Sequence, residues 1–280
     1  MLNTADEISL GSSFFREVWG GQDDVVPADI AIASGHAGGY FSAAFGSRNE
    51  IVAASYGFVG TYRGHRTLHS HVTASRVSGV GFAIKQHQKQ WASSRGFDAI
   101  TWTFDPLVRR NCVFNLDKIG AATTEYLINF YGEMNDEINR GDDSDRLFAF
   151  WELSASTKAA SLPNSATDSV RNSTRDVLEV PDYASVASWQ ARRSTAISDS
   201  NDRPSVNPDW PKFVDDKHSF AVYLPADIEK LRLNDDSTSS IWRMAVRDVL
   251  NLSFEQGARV RHMVDNRSAL LVEWHQNGEQ

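Results

Sequence analysis

Arg76-Val77-Ser78-Gly79-Val80-Gly81 is the stretch that decides how this chain reads. Before it, Thr67-Leu68-His69-Ser70-His71-Val72 alternates apolar and polar residues as a half-buried strand does. After it, Phe82 to Arg95 holds no Gly or Pro, and Ile84, Gln88 and Trp91 fall on one helical face. A small-residue turn that opens a helix presents backbone N–H groups lacking intrahelical partners, at the positive end of the helix dipole. Such a turn can hold a phosphate, and Gly79 and Gly81 keep side chains out of the anion's way. The dinucleotide fingerprint needs a Gly where this chain has Ile84, and no Gly-Lys-Ser/Thr follows as in a P-loop.

The elements around the turn continue the pattern. Phe97 to Phe104 reads as the next strand, ended by Asp105-Pro106. Leu107 to Ile119 reads as a helix stopped by Gly120. Upstream, Ile8 to Trp19 reads as an amphipathic helix ended by Gly20-Gly21, and 39–45 with 51–56 as a hairpin. Phe148 to Leu153 reads as a closing strand. From Ser154 to about Asp215, Ser, Thr, Asn, Asp and Pro dominate, as in linkers and surface arms. Order resumes with a strand from Ser219 to Leu224, a helix from Thr238 to Gln256, and strands over 259–264 and 269–274. There is no internal repeat of fixed period.

The spacing R-x-x-G-x-G, followed by strand and helix, resembles the GNAT superfamily of acyl-CoA-dependent N-acyltransferases. Asn111 to Ala121 is similar to that family's Asn-rich helix with its K-x-G-F/A ending. Narrower strings, Leu68-His69-Ser70-His71, Trp102 to Leu107, Asn129 to Met134 and Ser144 to Leu147, resemble a little-characterised bacterial branch. The resemblance runs from about Phe14 to Leu153 and returns faintly near the C-terminus. It implies an α/β (α+β) fold: a GNAT-like mixed central sheet flanked by helices, with a C-terminal strand-helix-strand extension. The division expected is an acyl-CoA-binding domain over 1–153, a polar linker or arm over 154–215, and a segment over 216–280. That last segment would pack on the first domain or on a partner chain, and a homodimer stays open. In two respects the sequence departs from the family. The chain opens almost directly into its first helix where the family has a strand before it, so either that strand lies outside this sequence or another segment takes its place, and the link Val72-Thr73-Ala74-Ser75 is short.

Carried over residue by residue, the resemblance implies that coenzyme A phosphates sit on the backbone of Arg76, Val77, Ser78, Gly79, Val80 and Gly81. The pantetheine arm would pair with the backbone of His69 to Val72, and Asn111 would touch the cofactor. Acetyl-CoA or another acyl-CoA is the implied co-substrate, with a small-molecule or protein amine as acceptor and no metal. Acyl transfer to an amine needs a base, donors for the oxyanion and an acid for the thiolate. His69 and His71 are candidate bases, sharing a strand face by the period-two alternation. Asp105 is the alternative base, and helix capping is its competing role. The family's tyrosine acid is replaced by Asn115; Tyr126 or Tyr131 can substitute, or be core. Arg63, His65, Arg66, Arg109 and Arg110 are candidate anion contacts, or ordinary surface arginines and histidine. A non-catalytic acyl-CoA-binding protein is an alternative. A hydrolase holding a metal on His65, His69 and His71 is another.

Composition bounds these readings. Of 280 residues, 41% are hydrophobic and 23% charged, values of an ordinary globular chain. A net charge of −8 speaks against a nucleic-acid-binding surface. The single Cys112 excludes an internal disulfide and reads as a small buried hydrophobe. The first residues lack a signal peptide's basic region and no apolar run spans a bilayer, so no membrane association and a cytoplasmic location are expected.

Overall fold

The computed structural model describes residues 1–20, 24–132, 143–153, 194–200 and 202–274. Helix α1 (Ala5–Trp19) begins at Thr4, whose side chain and that of Glu7 form a capping box, and ends at Gly20 with φ 68°. It buries Ile8, Phe14 and Phe15, the last stacked on Phe41 at 5.8 Å. Helix α2 (Ala28–His36) packs beside it on the same sheet face.

Strands β1 (Tyr40–Phe45), β2 (Ile51–Tyr62) and β3 (His65–Ser75) form an antiparallel meander. Helix α3 (Val80–Ser94) then crosses to β4 (Ala99–Phe104), which lies parallel to β3. Helix α4 (Arg109–Cys112) runs into π-helical turns over Val113–Lys118. Strands β5 (Ala122–Leu127) and β6 (Arg146–Glu152) follow, β6 lying between β4 and β5. The chain is a mixed α/β fold with a large mixed sheet flanked by helices.

Two features of β3 shape the site. Tyr56 pairs with Val72 and Phe58 with His69, so β3 carries one extra residue at Ser70–His71. Gly57 permits this bulge, because a Cβ there would lie 2.8 Å from the His69 carbonyl oxygen. Second, β3 and β4 pair only at Thr67–Ala99, Leu68–Ile100 and His69–Thr101, although both strands run on. The other edge of β4 pairs with β6 along its whole length. Beyond His69 and Thr101 the sheet therefore splits into a V whose two facing edges carry backbone unpaired among the described residues.

On the far side, β7 (Thr195–Ser200), β8 (Arg203–Val206), β9 (Phe220–Tyr223), β10 (Arg259–Val264) and β11 (Ala269–Glu273) extend the same sheet past β5. Helices α5 (Trp210–Asp215), α6 (Ile228–Asn234) and α7 (Asp236–Glu255) accompany them. Strand β5 meets β10 through the single pair Thr123–Val260. The wider union is a shared core, in which Leu107, Leu116 and Leu147 join Trp242, Val246 and Leu250.

Several expectations change. Residues 195–215, read as linker, form a hairpin and a helix because Ala196, Ile197 and Val214 are buried. Residues 154–193 of that expected linker, with Gly21, Glu133 and Met134, lie outside the described residues. The helix read over 107–119 is α-helical for one turn only. Before α1, the Leu2 N–H donates to the Phe41 carbonyl at 2.9 Å, where the resemblance implied a strand.

Candidate functional site

The split between β3 and β4 opens toward the start of α3. Gly79, with φ 84°, is the N-cap, and no side chain caps the helix. A positive φ is accessible to glycine at little cost, which is what the turn requires here. Ser75 Oγ accepts from Val77 N–H at 3.3 Å and donates to the Val77 carbonyl at 2.8 Å, and that carbonyl also accepts from Val80 N–H. The amides of Ser78, Gly79 and Gly81 meet no acceptor among the described residues. A cluster of free amides at a helix start is suited to an anion. The turn over 76–79 is exposed, so a ligand can reach it from solvent.

The side chain of Arg76 points elsewhere. Its guanidinium donates to Glu17 at 2.9 Å and lies 5.0 Å from the centre of the Phe14 ring. Val72 buries its side chain in the α1–α2 cluster. Of the expected anion contacts, the amides of Ser78, Gly79 and Gly81 stay open; those of Val77 and Val80 are taken by Ser75 Oγ and the Val77 carbonyl, and the Arg76 side chain serves α1.

On the α1–α2 face of the V stand His69, His71, Thr101, Thr103 and a floor of aromatic rings. His69 Nδ1 lies 3.1 Å from Thr101 Oγ1, and its ring packs against Phe58 and Phe148. Burial, then the neighbouring His71 and Lys85, lowers its pKa to about 4. The ring is thus neutral at ordinary pH. His71 rests beside the Tyr56 and Phe58 rings; burial lowers its pKa, a hydrogen bond to the Val25 backbone works the other way, and the ring keeps contact with solvent. Tyr131 reaches Thr103 Oγ1 with its hydroxyl at 2.9 Å, and its amide donates to Ser144 Oγ. The bulge thus sets both imidazoles against Phe58, while Tyr131 is tied to the same face of β4 through Thr103.

Asp105 is not among them. It is 5% exposed, at the end of β4, and accepts from Arg243 at 2.9 and 3.1 Å, from Arg232 at 2.5 Å and from the Leu107 amide. Burial alone would raise its pKa; Arg243 and then Arg232 more than reverse this and hold the carboxyl well below its usual range. With its lone pairs committed to structural partners, Asp105 is a clasp between the two halves of the chain and is unsuited to accept a proton. The parallel Asp145 holds Arg247 and the Tyr126 hydroxyl. Burial, followed by Asp145, raises the Tyr126 pKa and removes it as a proton donor.

Other candidates also have structural partners. Asn115 accepts from Trp102 Nε1 at 3.1 Å. Asn111 is half-buried on α4, its amide bonded to the Val108 carbonyl. Arg63 pairs with Glu125, Arg66 lies 4.0 Å over the Phe97 ring, Arg109 donates to the Leu224 carbonyl and Arg110 to Glu229. Cys112 is fully buried and its thiol pKa is raised, first by that burial. His65 packs edge-on to Phe150. Among the described residues, no three His, Cys, Asp or Glu side chains gather as a metal site, and no helix is long and apolar enough to cross a membrane.

Sequence reading missed a residue on the opposite, α3 face of the V. Lys85 is 4% exposed, and its Nζ donates to Ser70 Oγ at 2.8 Å and Gln88 Oε1 at 3.3 Å. It lies 4.1 Å from the centre of the Trp102 ring. The signal was available: a lysine directly after Ile84, on the same buried face as Gln88 and Trp91.

No protein-family profile matches the chain, and no curated protein matches it. Solved structures do. An aminoglycoside 6'-acetyltransferase type Ii aligns at 17% identity and TM-score 0.42, over 55% of this chain and 94% of its own. An N-acetyltransferase from Staphylococcus aureus Mu50 aligns at 13% and 0.43, over 55% and 97%. A GNAT family acetyltransferase from Elizabethkingia anophelis with acetyl-CoA bound aligns at 17% and 0.36, over 45% and 80%. None of these reaches a TM-score of 0.5, so the reading of the site rests on this chain's own geometry.

Proposed function

We propose that this protein is an acyl-CoA-dependent N-acyltransferase that moves an acetyl or other short acyl group to an amine by direct attack on the thioester. The observation that carries this reading is the V: pairing between β3 and β4 stops after His69–Thr101, and the gap leads to the uncapped start of α3. An extended arm with amide groups can hydrogen-bond to the open β3 edge as an added strand would, while its pyrophosphate takes the amides of Ser78, Gly79 and Gly81. The resemblance of Arg76–Gly81 to the GNAT turn agrees with this placement. Much of the acceleration would come from holding thioester and amine together.

The acceptor amine, on a small molecule or a protein, approaches from the α1–α2 face over Phe58 and Phe148. His71 receives its proton, since it reaches solvent and can pass the proton on. His69 is held neutral by burial and fixed by Thr101, so it orients the amine; a base with a pKa near ~4 would be a weak acceptor at neutral pH. Tyr131, on the same face through Thr103, borders the acceptor's path. The test is calorimetric titration with acetyl-CoA, followed by a panel of amines with release of free thiol as the readout. Binding with amine-dependent thiol release is expected. Tight binding without release by any amine would favour an acyl-CoA-binding protein that does not turn over.

A further inference from the structure

Lys85 is the one charged side chain in the interior of α3's buried face, and its partners there are all neutral. Its neighbours at the sheet are Ser70 on the bulge of β3 and Trp102 on β4, the residues that immediately follow the last β3–β4 pair. Its amino group therefore sits at the apex of the V, on the face opposite the histidines. The groups facing it are neutral: the Ser70 hydroxyl, the Gln88 amide, and beyond Gln88 the hydroxyls of Ser55 and Thr73. The titratable group that feels it is His69 on the other face of β3. Among the described residues no carboxylate hydrogen-bonds to it. A buried ammonium without a counterion is costly unless something negative arrives beside it.

We propose that Lys85 is the proton donor to the thiolate of coenzyme A as it leaves, an assignment that rests on the acyltransferase reading above. The amine nitrogen bonds to the thioester carbon and gives its proton to the base on the α1–α2 face. The carbon–sulfur bond then breaks, its electron pair going to sulfur. The Lys85 ammonium protonates that sulfur and becomes a neutral amine, to be reprotonated from water once the product leaves. The net change is thioester and amine to amide and thiol.

Three facts beyond location fit the role. Burial lowers the Lys85 pKa to about 7, so the ammonium yields its proton readily to a thiolate, whose ordinary pKa is near ~8.5. The Trp102 face and two neutral hydrogen-bond acceptors hold the amine in place without quenching its charge. Finally, Asn115, where the resemblance implied a tyrosine acid, is a carboxamide that cannot give up a proton, and its Oδ1 accepts from Trp102 Nε1.

The test reads the ionisation of the coenzyme A thiol on the protein, and so needs no acceptor. Wild type, Lys85→Met and Lys85→Gln are loaded with coenzyme A, and thiolate absorbance is titrated from about pH 6 to 9, spanning the thiol and lysine values. A cation held beside the thiol should lower its pKa on wild type by about 1–2 pH units. Both variants should bind coenzyme A within about threefold of wild type and lose that lowering; if Lys85→Met does not fold, Lys85→Gln gives the same readout. A bound thiol with the same pKa on wild type and a folded variant would overturn the assignment. Absence of coenzyme A binding to wild type would overturn it too, by removing the acyltransferase reading on which it rests.

Discussion

Replacing Asp105 by Asn separates a structural clasp from a catalytic base. In the native protein one carboxylate answers two guanidiniums, with side chains 5% (Asp105), 5% (Arg232) and 2% (Arg243) exposed. At a charge separation near ~4 Å and an effective dielectric of about 20, each pair has a gross attraction of roughly 4 kcal/mol. Much of that offsets the desolvation of three buried ions, and breaking such a pair costs about 3–5 kcal/mol. Asn keeps the shape and the acceptor for the Leu107 amide, but turns an NH2 donor toward donors. We expect a loss of about 4 kcal/mol, a large share of the ~5–15 kcal/mol that stabilises an ordinary domain. Urea unfolding followed by tryptophan fluorescence measures it. The pH dependence supplies a second check. The folded pKa of Asp105 is lowered, so its contribution is complete above the usual carboxylate value near ~3.9 and is lost as pH falls through the folded value. The variant should lack that acid-side loss. A variant that loses under ~1 kcal/mol yet stops turning over would refute the argument and return Asp105 to the chemistry.

Three further outcomes follow from the same geometry. His71→Gln should lower turnover by about 10²-fold with acyl-CoA affinity unchanged, and His69→Gln should lower it less; the reverse order would exchange their roles. His69 is held neutral by burial, with a pKa of about 4, so it favours the fold fully above ~6.5 and progressively less as pH falls toward the folded value. His69→Gln should flatten that part of the stability profile, which a urea series read by fluorescence would show. Truncation after Leu153 removes the arginines that pair with Asp105 and Asp145 and uncovers Leu107, Leu116 and Leu147. The fragment should be insoluble or molten, and a soluble fragment with cooperative melting would contradict this.

The elements legible in the sequence are those governed by neighbours along the chain. The alternation around Leu68, the Gly79 turn, and the face of Ile84, Gln88 and Trp91 each follow from a local rule, and the structure places them as read. What was not legible depends on distant partners. The role of Asp105 is set by Arg232 and Arg243, which lie more than a hundred residues away, and locally an Asp before Pro reads equally well as a cap. Strand β5, Ala-Thr-Thr-Glu-Tyr-Leu, has no apolar run; it is a strand because β6 pairs with it. Likewise Ala196 and Ile197 sit in a Ser- and Asp-rich stretch and are buried only by the sheet they join. The bulge at Ser70–His71 depends on Gly57 in the neighbouring strand. Lys85 needed no distant knowledge; a charge on an apolar helical face was the signal.

The central claim is that coenzyme A phosphates sit at the start of α3, and Gly81→Asp tests it most directly. Gly79 is less suitable, because its φ of 84° would strain any other residue. At Gly81 a Cβ meets only the Ser75 Cβ, at 3.6 Å, and an acidic residue in the first helical turn should itself favour the helix. A carboxylate about 5 Å from a doubly charged pyrophosphate, at an effective dielectric of about 40, costs roughly 3 kcal/mol, or about 10²-fold in affinity. Calorimetric titration of acetyl-CoA into wild type and Gly81→Asp, with thermal melts of both, should show that loss with a melting temperature equal to or above wild type. Equal affinity for the two proteins, or no binding to wild type, would contradict the account.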